Sequence, residues 1–195
     1  MSDLTKVDKI CKIASNWWAN AIEHPKMDNG DESQAGMLIN MLATLNTSKI
    51  TPEQQKQFNY ELYEEIKNTI KDYDDTQIMW LDVDYGPNKY LSEPAKKCNI
   101  SLNNFPIKTT MQINKHVVKV RYGYGSDYEI LYADKYYYEN EIKSYEETIE
   151  YYKEQDESYF FIGSKEATIK RCNNMINKYK KCLEEIIKKE ANINE

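Results

Sequence analysis

The sequence lacks long apolar runs and closely spaced cysteines. No stretch approaches the ~20 apolar residues that a membrane-spanning helix needs, and residues 1–6 lack the apolar block of a signal peptide. The four cysteines lie far apart and fall on helix-like apolar stripes, which favours buried thiols over a disulfide framework. We therefore expect a cytoplasmic protein without membrane contact.

Residue types used in nucleophilic and metal-dependent catalysis are also scarce. The chain has two histidines, His24 and His116, and no Gly-x-Ser-x-Gly motif. The pairs Cys-x-x-Cys and His-Glu-x-x-His, which are typical of zinc sites, are absent from the sequence. The sequence thus predicts a protein that binds rather than catalyses, with no catalytic residue, no metal and no cofactor.

Phenylalanine is rare and tyrosine is abundant, with 4 Phe against 17 Tyr among 195 residues. Tyrosine combines an apolar ring with a polar tip, and it is common both in shallow cores and on partner-binding surfaces. The net charge of −6 repels phosphate backbones, so direct binding to duplex nucleic acid is disfavoured. A protein partner with a basic surface remains compatible with this charge.

The N-terminal part of the chain has helical periodicity. Apolar residues recur at three- and four-residue steps in residues 4–23, where Trp17 is expected in the core, and a helix over residues 33–45 follows. In that second helix the residues expected to face inward are Met37, Leu38, Met41, Leu42 and Leu45. A third helix is predicted to begin after Thr51, because Thr51, a following proline and Gln54 form a capping-box pattern.

A change of period predicts strands in the middle of the chain. Residues 77–83 are rich in large apolar side chains, and residues 107–113 alternate as on a half-buried strand. Residues 117–122 and 128–132 follow short turns and complete a meander of three strands. We expect an α+β fold in which N-terminal helices pack on a small, mostly antiparallel sheet, as a domain over residues 1–133.

Residues 134–195 predict an antiparallel helical hairpin appended to this domain. A heptad seam is formed by Tyr138, Ile142, Tyr145, Ile149 and Tyr152, and a turn at residues 159–163 with a cap at Ser164 is expected. Residues 134–157 carry nine acids against three lysines, a net charge of −6, and residues 164–191 carry eight bases against four acids, a net charge of +4. This complementarity favours pairing of the two helices with each other, although a homodimer through the same seam stays open.

Carboxylates at the ends of predicted elements are candidates for a metal site. Asp82 and Asp84 project from the same face of a strand, and with Asp28 and Asp31 they offer the oxygen ligands that Mg²⁺ or Ca²⁺ prefers. These acids come from separated segments, however, and helix capping and turn formation explain them better.

An anion or nucleotide pocket is the other candidate site. Ammonium, guanidinium and hydroxyl groups would contact phosphate, two glycines would let backbone amides approach it, and two carboxylates lie nearby. The set comprises Asp82, Asp84, Lys108, Thr109, Arg121, Gly123 and Gly125. The spacing matches neither the Walker loop nor the dinucleotide fingerprint, and Gly-Tyr-Gly between two strands is also typical of a simple tight turn.

Five short motifs follow one another in the chain: Trp17-Trp18-Ala19, Asp28-Asn29-Gly30-Asp31, Asp84-Tyr85-Gly86-Pro87, Phe105-Pro106-x-Lys108-Thr109 and Gly123-Tyr124-Gly125. Through this ordered set, residues 5–132 resemble a family of small proteins encoded on phages and other mobile elements of low-GC bacteria. Members of that family carry Trp where this chain has Ile107, no catalytic role is known for them, and the hairpin is an addition to their pattern. The resemblance implies a genomic setting in which small acidic proteins bind and disable host defence enzymes, including CRISPR effectors.

The sequence accordingly favours a non-enzymatic inhibitor that contacts a host protein such as a CRISPR effector nuclease. The contact surface predicted on the first hairpin helix consists of Glu146, Glu147, Glu150, Tyr151 and Glu154. These acids would face a basic nucleic-acid channel, but they are equally typical of a helix face that is only solvated. The alternative is a small-ligand or nucleotide-binding protein, either a sequestering module or a weak hydrolase, that uses the predicted pocket.

Overall fold

The computed structural model describes residues 3–25, 33–123, 126–155 and 165–193, which fall into two compact units, residues 1–132 and 133–195. The described part of the chain contains six α-helices and one four-stranded sheet. The α+β class predicted from the sequence is therefore confirmed. The division into domains after residue 133 stays a prediction about independent folding.

Four helices belong to the first unit: α1 (Asp3–Glu23), α2 (Gln34–Leu45), α3 (Pro52–Ile70) and α4 (Lys89–Lys97). Their core centres on Trp18, whose ring contacts that of Phe105, which in turn meets Phe58 edge-on. Trp17 lies at the margin of this core instead of its centre. Adjacent helical residues point about 100° apart, so only one of the two indoles fits the middle of the apolar stripe.

The start of α3 follows the predicted capping box. The hydroxyl of Thr51 accepts a hydrogen bond from the Gln54 backbone N–H at 3.2 Å, and the Gln54 side-chain oxygen accepts one from the Thr51 N–H at 3.1 Å. The Gln54 amide also donates to the carbonyls of Cys98 and Asn99. A local start signal thus also ties α3 to the end of α4.

The sheet has the strand order β1 (Met79–Val83), β2 (Thr109–Ile113), β3 (Val117–Tyr122) and β4 (Glu129–Ala133), so β1 is an edge strand. The antiparallel register places Leu81 beside Met111 and Met111 beside Val120. These residues face the helices and are fully buried.

Strand β2 differs from the half-buried strand that was expected. The residues on its second face, Thr110 and Gln112, are each only 8% exposed. Because β2 lies between β1 and β3, polar partners from other segments cover that face: Thr110 donates to Asp82, and Gln112 donates to the Tyr128 hydroxyl. The alternation was predicted correctly, but the burial of the polar face depends on the neighbouring strands.

Helix α2 contradicts the inward orientation expected for its apolar residues. Met37, Leu38, Met41 and Leu45 are between 56% and 68% exposed, and the side chain of Leu42 lies outside the described part. The helix is apolar over much of its surface, so its sequence does not select one buried face. Since α1 and α3 pack directly against each other, α2 is left with only slight contacts to the other described elements.

The second unit is the predicted helical hairpin, formed by α5 (Lys135–Glu154) and α6 (Lys165–Ile193). Asp134 caps α5 by accepting from the Tyr137 N–H at 3.0 Å. The helices are antiparallel, because the Lys165 ammonium at the start of α6 donates to the carbonyls of Lys153 and Gln155 at the end of α5. The turn at residues 159–163 and the cap at Ser164 lie outside the described residues.

The hairpin interior is rich in tyrosine. Tyr179 of α6 packs against the rings of Tyr137, Tyr138 and Tyr145 of α5 at centroid distances of 5.6–6.3 Å. Burial raises the pKa values of Tyr138 and Tyr179 to about 12, and it also raises those of Tyr137 and Tyr145. Burial therefore favours the neutral phenol in these four tyrosines.

Candidate functional site

The two faces of the sheet differ in chemistry. One face packs on the helices, and the other, here called the polar face, carries two transverse rows of side chains set by the strand register. Trp80, Gln112 and Lys119 form one row, and Asp82, Thr110 and Arg121 form the other. This arrangement follows from period-two alternation, because Met79, Leu81 and Val83 take the inward positions of β1. Polar and aromatic groups from three strands are thereby collected on one surface.

A cavity of about 340 Å³ lies at one end of the polar face. It is lined by Trp80, Asp82, Val83, Asp84, Lys108, Thr110 and Arg121. The segments that enter it are held by backbone hydrogen bonds: the Gly123 N–H donates to the Lys108 carbonyl at 2.8 Å, and the Lys108 N–H donates to the Asp84 carbonyl at 3.4 Å. Lys108 itself has φ of 54°, in the left-handed region, so the chain turns sharply just before β2.

The carboxylate of Asp82 is oriented by a neighbouring strand. It accepts a hydrogen bond of 2.6 Å from the Thr110 hydroxyl. The backbone around it is also fixed, because the Asn88 amide donates to the Trp80 carbonyl at 2.8 Å and the Asn88 N–H donates to the Asp82 carbonyl at 2.9 Å. The edge strand β1 is therefore fixed by hydrogen bonds from Thr110 of β2 and from Asn88. These bonds position Trp80 and Asp82 before any ligand binds.

Arg121 is the guanidinium of the site. Its guanidinium carbon lies 5.0 Å from the centroid of the Tyr128 ring, and the Tyr128 hydroxyl accepts a hydrogen bond of 2.7 Å from Gln112. The Nε of Arg121 is buried and has no hydrogen-bond partner among the described residues. Buried polar atoms are nearly always satisfied, so this guanidinium retains donor capacity that the fold does not use.

The structure brings together four of the residues that the sequence nominated as ligand-binding: Asp82, Asp84, Lys108 and Arg121. Thr109 lies on the opposite, fully buried face, where its hydroxyl donates to the Ile107 carbonyl. Gly123 has φ of 69° and spends its N–H on the Lys108 carbonyl, so that amide is not directed at a ligand. Gly125 lies outside the described residues.

Two further contributors, Trp80 and Thr110, were not nominated from the sequence. Trp80 is 46% exposed, a high value for an indole in a strand, and Thr110 orients Asp82. Trp80 lies two residues before Asp82 in β1 and therefore on the same face of the sheet, and Thr110 is paired with Asp82 across the strands. The alternation in the sequence thus places Trp80 beside Asp82, but the pairing with Thr110 and the orientation of this face away from the helices become known only with the strand register.

The residues predicted as a partner surface do not all lie on one face of α5. Glu147, Glu150, Tyr151 and Glu154 follow the spacing of one helical face, and all four are exposed. Glu146 lies toward α6, with its carboxylate 3.8 Å from the Lys180 ammonium. Lys143 and Lys153 pair with Glu147 and Glu150 on the surface, which weakens the local negative field.

Among the described residues, no group of three or more His, Cys, Asp or Glu side chains is arranged to hold a metal ion. Asp28 and Asp31, which the metal hypothesis required, lie outside those residues. None of the helices in the described part is both long and apolar enough to cross a membrane. The chain matches no protein-family model and has no significant match among curated proteins.

Proposed function

We propose that this protein binds a small phosphorylated ligand of nucleotide type at the polar-face cavity. The observation that carries the proposal is the convergence, in one cavity, of an exposed indole, two cations and two carboxylates. Ligand sites commonly combine an aromatic or apolar wall with a few fixed polar groups. The residues in question come from the ends of β1, β2 and β3, so the fold and not one local motif creates the combination.

The charges of the cavity favour a ligand with both acidic and hydrogen-donating parts. Lys108 and Arg121 balance Asp82 and Asp84, so the lining has no net formal charge. The guanidinium and the ammonium are suited to phosphate oxygens, and the carboxylates accept hydrogen bonds from sugar hydroxyls. A simple dianion would meet the two carboxylates without compensation, whereas a nucleoside monophosphate offers groups for both signs.

Trp80 supplies the place for an aromatic base. Stacking of a base on an aromatic side chain contributes on the order of 1–3 kcal/mol per base. The cavity volume of about 340 Å³ lies at the lower end of the range for small-molecule sites, which favours a mononucleotide over a dinucleotide. We place this activity in the cytoplasm and regard it as sequestration of the ligand.

Calorimetric titration of the full chain with the four ribonucleoside 5′-monophosphates tests the proposal. We expect saturable binding of at least one of them with Kd on the order of 10–100 µM, or about −5.5 to −7 kcal/mol. Inorganic phosphate and the free nucleoside should each bind more weakly, because each engages only half of the site. No saturable heat with any nucleotide would contradict the proposal.

Two substitutions localise the binding. Arg121→Gln should weaken nucleotide binding by about tenfold or more, as expected for loss of a charge-assisted contact, and Trp80→Ala should weaken it by a similar factor. The matched control is Arg171→Gln, which alters the only other arginine, an exposed residue of α6. An equal loss in Arg171→Gln would assign the affinity to general charge instead of the cavity.

A second candidate function is inhibition of a host defence protein by the exposed face of α5. It is favoured by the alignment of Glu147, Glu150 and Glu154 with Tyr151, because a half-exposed tyrosine among acids is suited to a basic partner. A mobile-element origin, as the resemblance implies, would give such a surface a target. A CRISPR effector nuclease, with its basic nucleic-acid channel, is the partner that we propose.

The second candidate is tested by plasmid cleavage with a guide-loaded CRISPR effector nuclease from a low-GC host. The full chain should inhibit cleavage, and the double variant Glu147→Lys with Glu150→Lys should lose that inhibition by about tenfold or more. Glu166→Lys with Glu184→Lys, two exposed acids of α6, serves as the charge-matched control. Unchanged inhibition by the α5 variant would contradict the assigned surface, and no inhibition by the full chain would contradict this candidate for that nuclease.

A further inference from the structure

A second cavity in the first unit has a different composition. It has a volume of about 380 Å³ and lies where α1, α3 and the turn after β2 meet, at the opposite end of the β2–β3 pair from the nucleotide-type site. Its charged lining includes Lys6, Lys67, Lys71, Lys115, Asp75 and His116. None of these residues contributes to the cavity at Asp84 and Lys108.

His116 is the most constrained residue of this cavity. It is only 9% exposed, its Nε2 lies 3.0 Å from the Asp75 carboxylate, and its Nδ1 lies 3.0 Å from the Lys6 ammonium. The turn holds its backbone, since Asn114 Oδ1 accepts from the His116 N–H at 2.8 Å. A lysine ammonium has donors only, so Nδ1 accepts from Lys6 and Nε2 carries the proton that is donated to Asp75. A neutral imidazole is thereby fixed in one tautomer and one orientation.

The lining is cationic in a chain that is acidic as a whole. Four lysines stand against Glu64 and Asp75, which gives a net formal charge of +2 with neutral histidine, whereas the chain carries −6. Lys67 is tied to Asp8 at 3.0 Å and to the Tyr63 hydroxyl at 3.1 Å, and these hydrogen bonds raise the pKa of Lys67. Local positive potential in a concave site attracts anions.

A purely structural role explains part of this arrangement. The bridge from Lys6 through His116 to Asp75 joins the start of α1 to the β2–β3 turn and to the segment before β1. The bridge does not account for Lys71 and Lys115, which line the same cavity and form no ion pair with any described residue. Two ammonium groups that line one cavity without a salt bridge to a described residue are the feature that points to a ligand.

We propose that this cavity binds the anionic oxygen group, a phosphate monoester or a carboxylate, of a small metabolite. Lys71 and Lys115 contact the anion, and His116 together with Asp75 holds Lys6 in place beside them. The valine and the lysine stems of the lining supply the apolar wall for the rest of the ligand. The site is independent of the nucleotide-type site, since no lining residue is shared.

Nuclear magnetic resonance of the imidazole nitrogens tests this proposal directly. The chain has only two histidines, and His24, whose side chain is 83% exposed, is an internal reference. Inorganic phosphate and, separately, citrate are titrated into the full chain at constant pH and ionic strength. We expect saturable shifts of the His116 nitrogens with at least one of these probes, and no saturable shift of His24. The source of the anion is identified by which probe saturates.

The variants Lys115→Gln and Lys71→Gln should each raise the apparent Kd by about tenfold. Both change lysines outside the buried core, so either serves if the other perturbs the fold. Lys12→Gln, an exposed lysine of α1 that does not line the cavity, is the matched control. His116 shifts that stay linear up to about 20 mM of both probes, where a site of ~1 mM affinity would be nearly full, would overturn the proposal. Equal Kd values in all three variants would overturn it as well.

The indole N–H signal of Trp80 distinguishes anion binding at the second cavity from anion binding at the polar-face cavity. Trp80 belongs to the polar-face cavity and His116 to the second cavity. Phosphate that shifts His116 and leaves Trp80 unchanged supports the second site alone. Phosphate that shifts only Trp80 overturns the second site and leaves the first intact.

Discussion

The two units of the molecule bury their side chains to different degrees. In the first unit, helices and sheet enclose residues such as Trp18, Phe58 and Leu81, which are 0% exposed. In the hairpin, the best-buried residues, among them Ile142 and Ile176, remain 5–9% exposed. Two helices have one contact face each, so a side chain between them keeps a route to water at the edge of the seam.

Tyrosine suits the second situation better than phenylalanine does. The rings of Tyr137, Tyr138 and Tyr179 fill the seam, while a hydroxyl near its edge can reach water or a neighbouring phenol. An excess of tyrosine therefore need not indicate a binding surface. Some of the 17 tyrosines are explained by the seam between α5 and α6, which is too thin to bury an aromatic ring completely.

The tryptophans make the two units separable in one experiment. Trp17, Trp18 and Trp80 all lie in the first unit, so tryptophan fluorescence reports that unit, whereas far-ultraviolet circular dichroism reports the helices of both.

The largest loss of stability is expected when a substitution makes a cavity in the core of the first unit. Phe58→Ala removes a fully buried ring from α3 and should lower the free energy of unfolding of the first unit by about 3–5 kcal/mol. Urea unfolding followed by tryptophan fluorescence measures the change. Tyr60→Ala on the same helix, 59% exposed, should cost well under 1 kcal/mol. A loss from Tyr60→Ala as large as that from Phe58→Ala would contradict the placement of this core.

Alkaline pH should weaken the hairpin. Burial raises the pKa of Tyr179 from 10.0 to about 12, so the neutral phenol contributes stability below pH 10 that is lost as the pH rises through 12. The loss is on the order of 2–3 kcal/mol at the upper end, because each pKa unit corresponds to ~1.4 kcal/mol. The measurement is the urea midpoint of the hairpin transition by circular dichroism below pH 10 and near pH 12. Tyr179→Phe should reduce the pH-dependent drop, and Tyr151→Phe, at an exposed tyrosine, should leave it unchanged.

Aliphatic truncation in the hairpin should cost less than in the first core. Ile176→Ala is expected to lower the stability of the hairpin by about 2 kcal/mol, at the low end for buried isoleucine, because water reaches the edge of the seam. Ile187→Ala on the same helix, where the side chain is 47% exposed, should cost much less. Circular dichroism during urea unfolding measures both. A cost for Ile176→Ala equal to that for Phe58→Ala would remove the contrast between the units.

Helix caps should contribute about equally in both units, because they act locally. Thr51→Ala at α3 and Asp134→Ala at α5 each remove a side-chain acceptor for a backbone N–H and should cost about 1 kcal/mol. Each loss should appear only in the transition of its own unit. A change of both transitions by one substitution would show that the two units unfold together.

Local signals in the sequence predicted the elements but not all of their surroundings. The capping box at Thr51 and the heptad seam depend on near neighbours, and the structure contains both, whereas β2 is buried on both of its faces. The exposure of Met37 and Met41 could not be predicted, because an apolar helix faces inward only if other elements leave a groove for it. That is a tertiary property, decided here by the direct packing of α1 on α3.

The candidate sites show the same limit. Asp84 and Lys108 were recognisable because they end predicted elements, where loops bring functional groups together. The orientation of Trp80 toward the cavity could be recognised only with the strand register. Thr109, which was predicted to bind the ligand, lies on the face of the sheet opposite the polar-face cavity. His116 could not be placed at all from the sequence, since its partners Lys6 and Asp75 are 110 and 41 residues away in the chain.

The most direct test of the central claim, that the polar-face cavity is a ligand site, is the spectrum of the three indole N–H groups during titration with the ribonucleoside 5′-monophosphates. We expect the Trp80 signal to shift saturably while that of the fully buried Trp18 stays in place. An unmoved Trp80 signal at nucleotide concentrations well above the ~100 µM expected for Kd would contradict that claim.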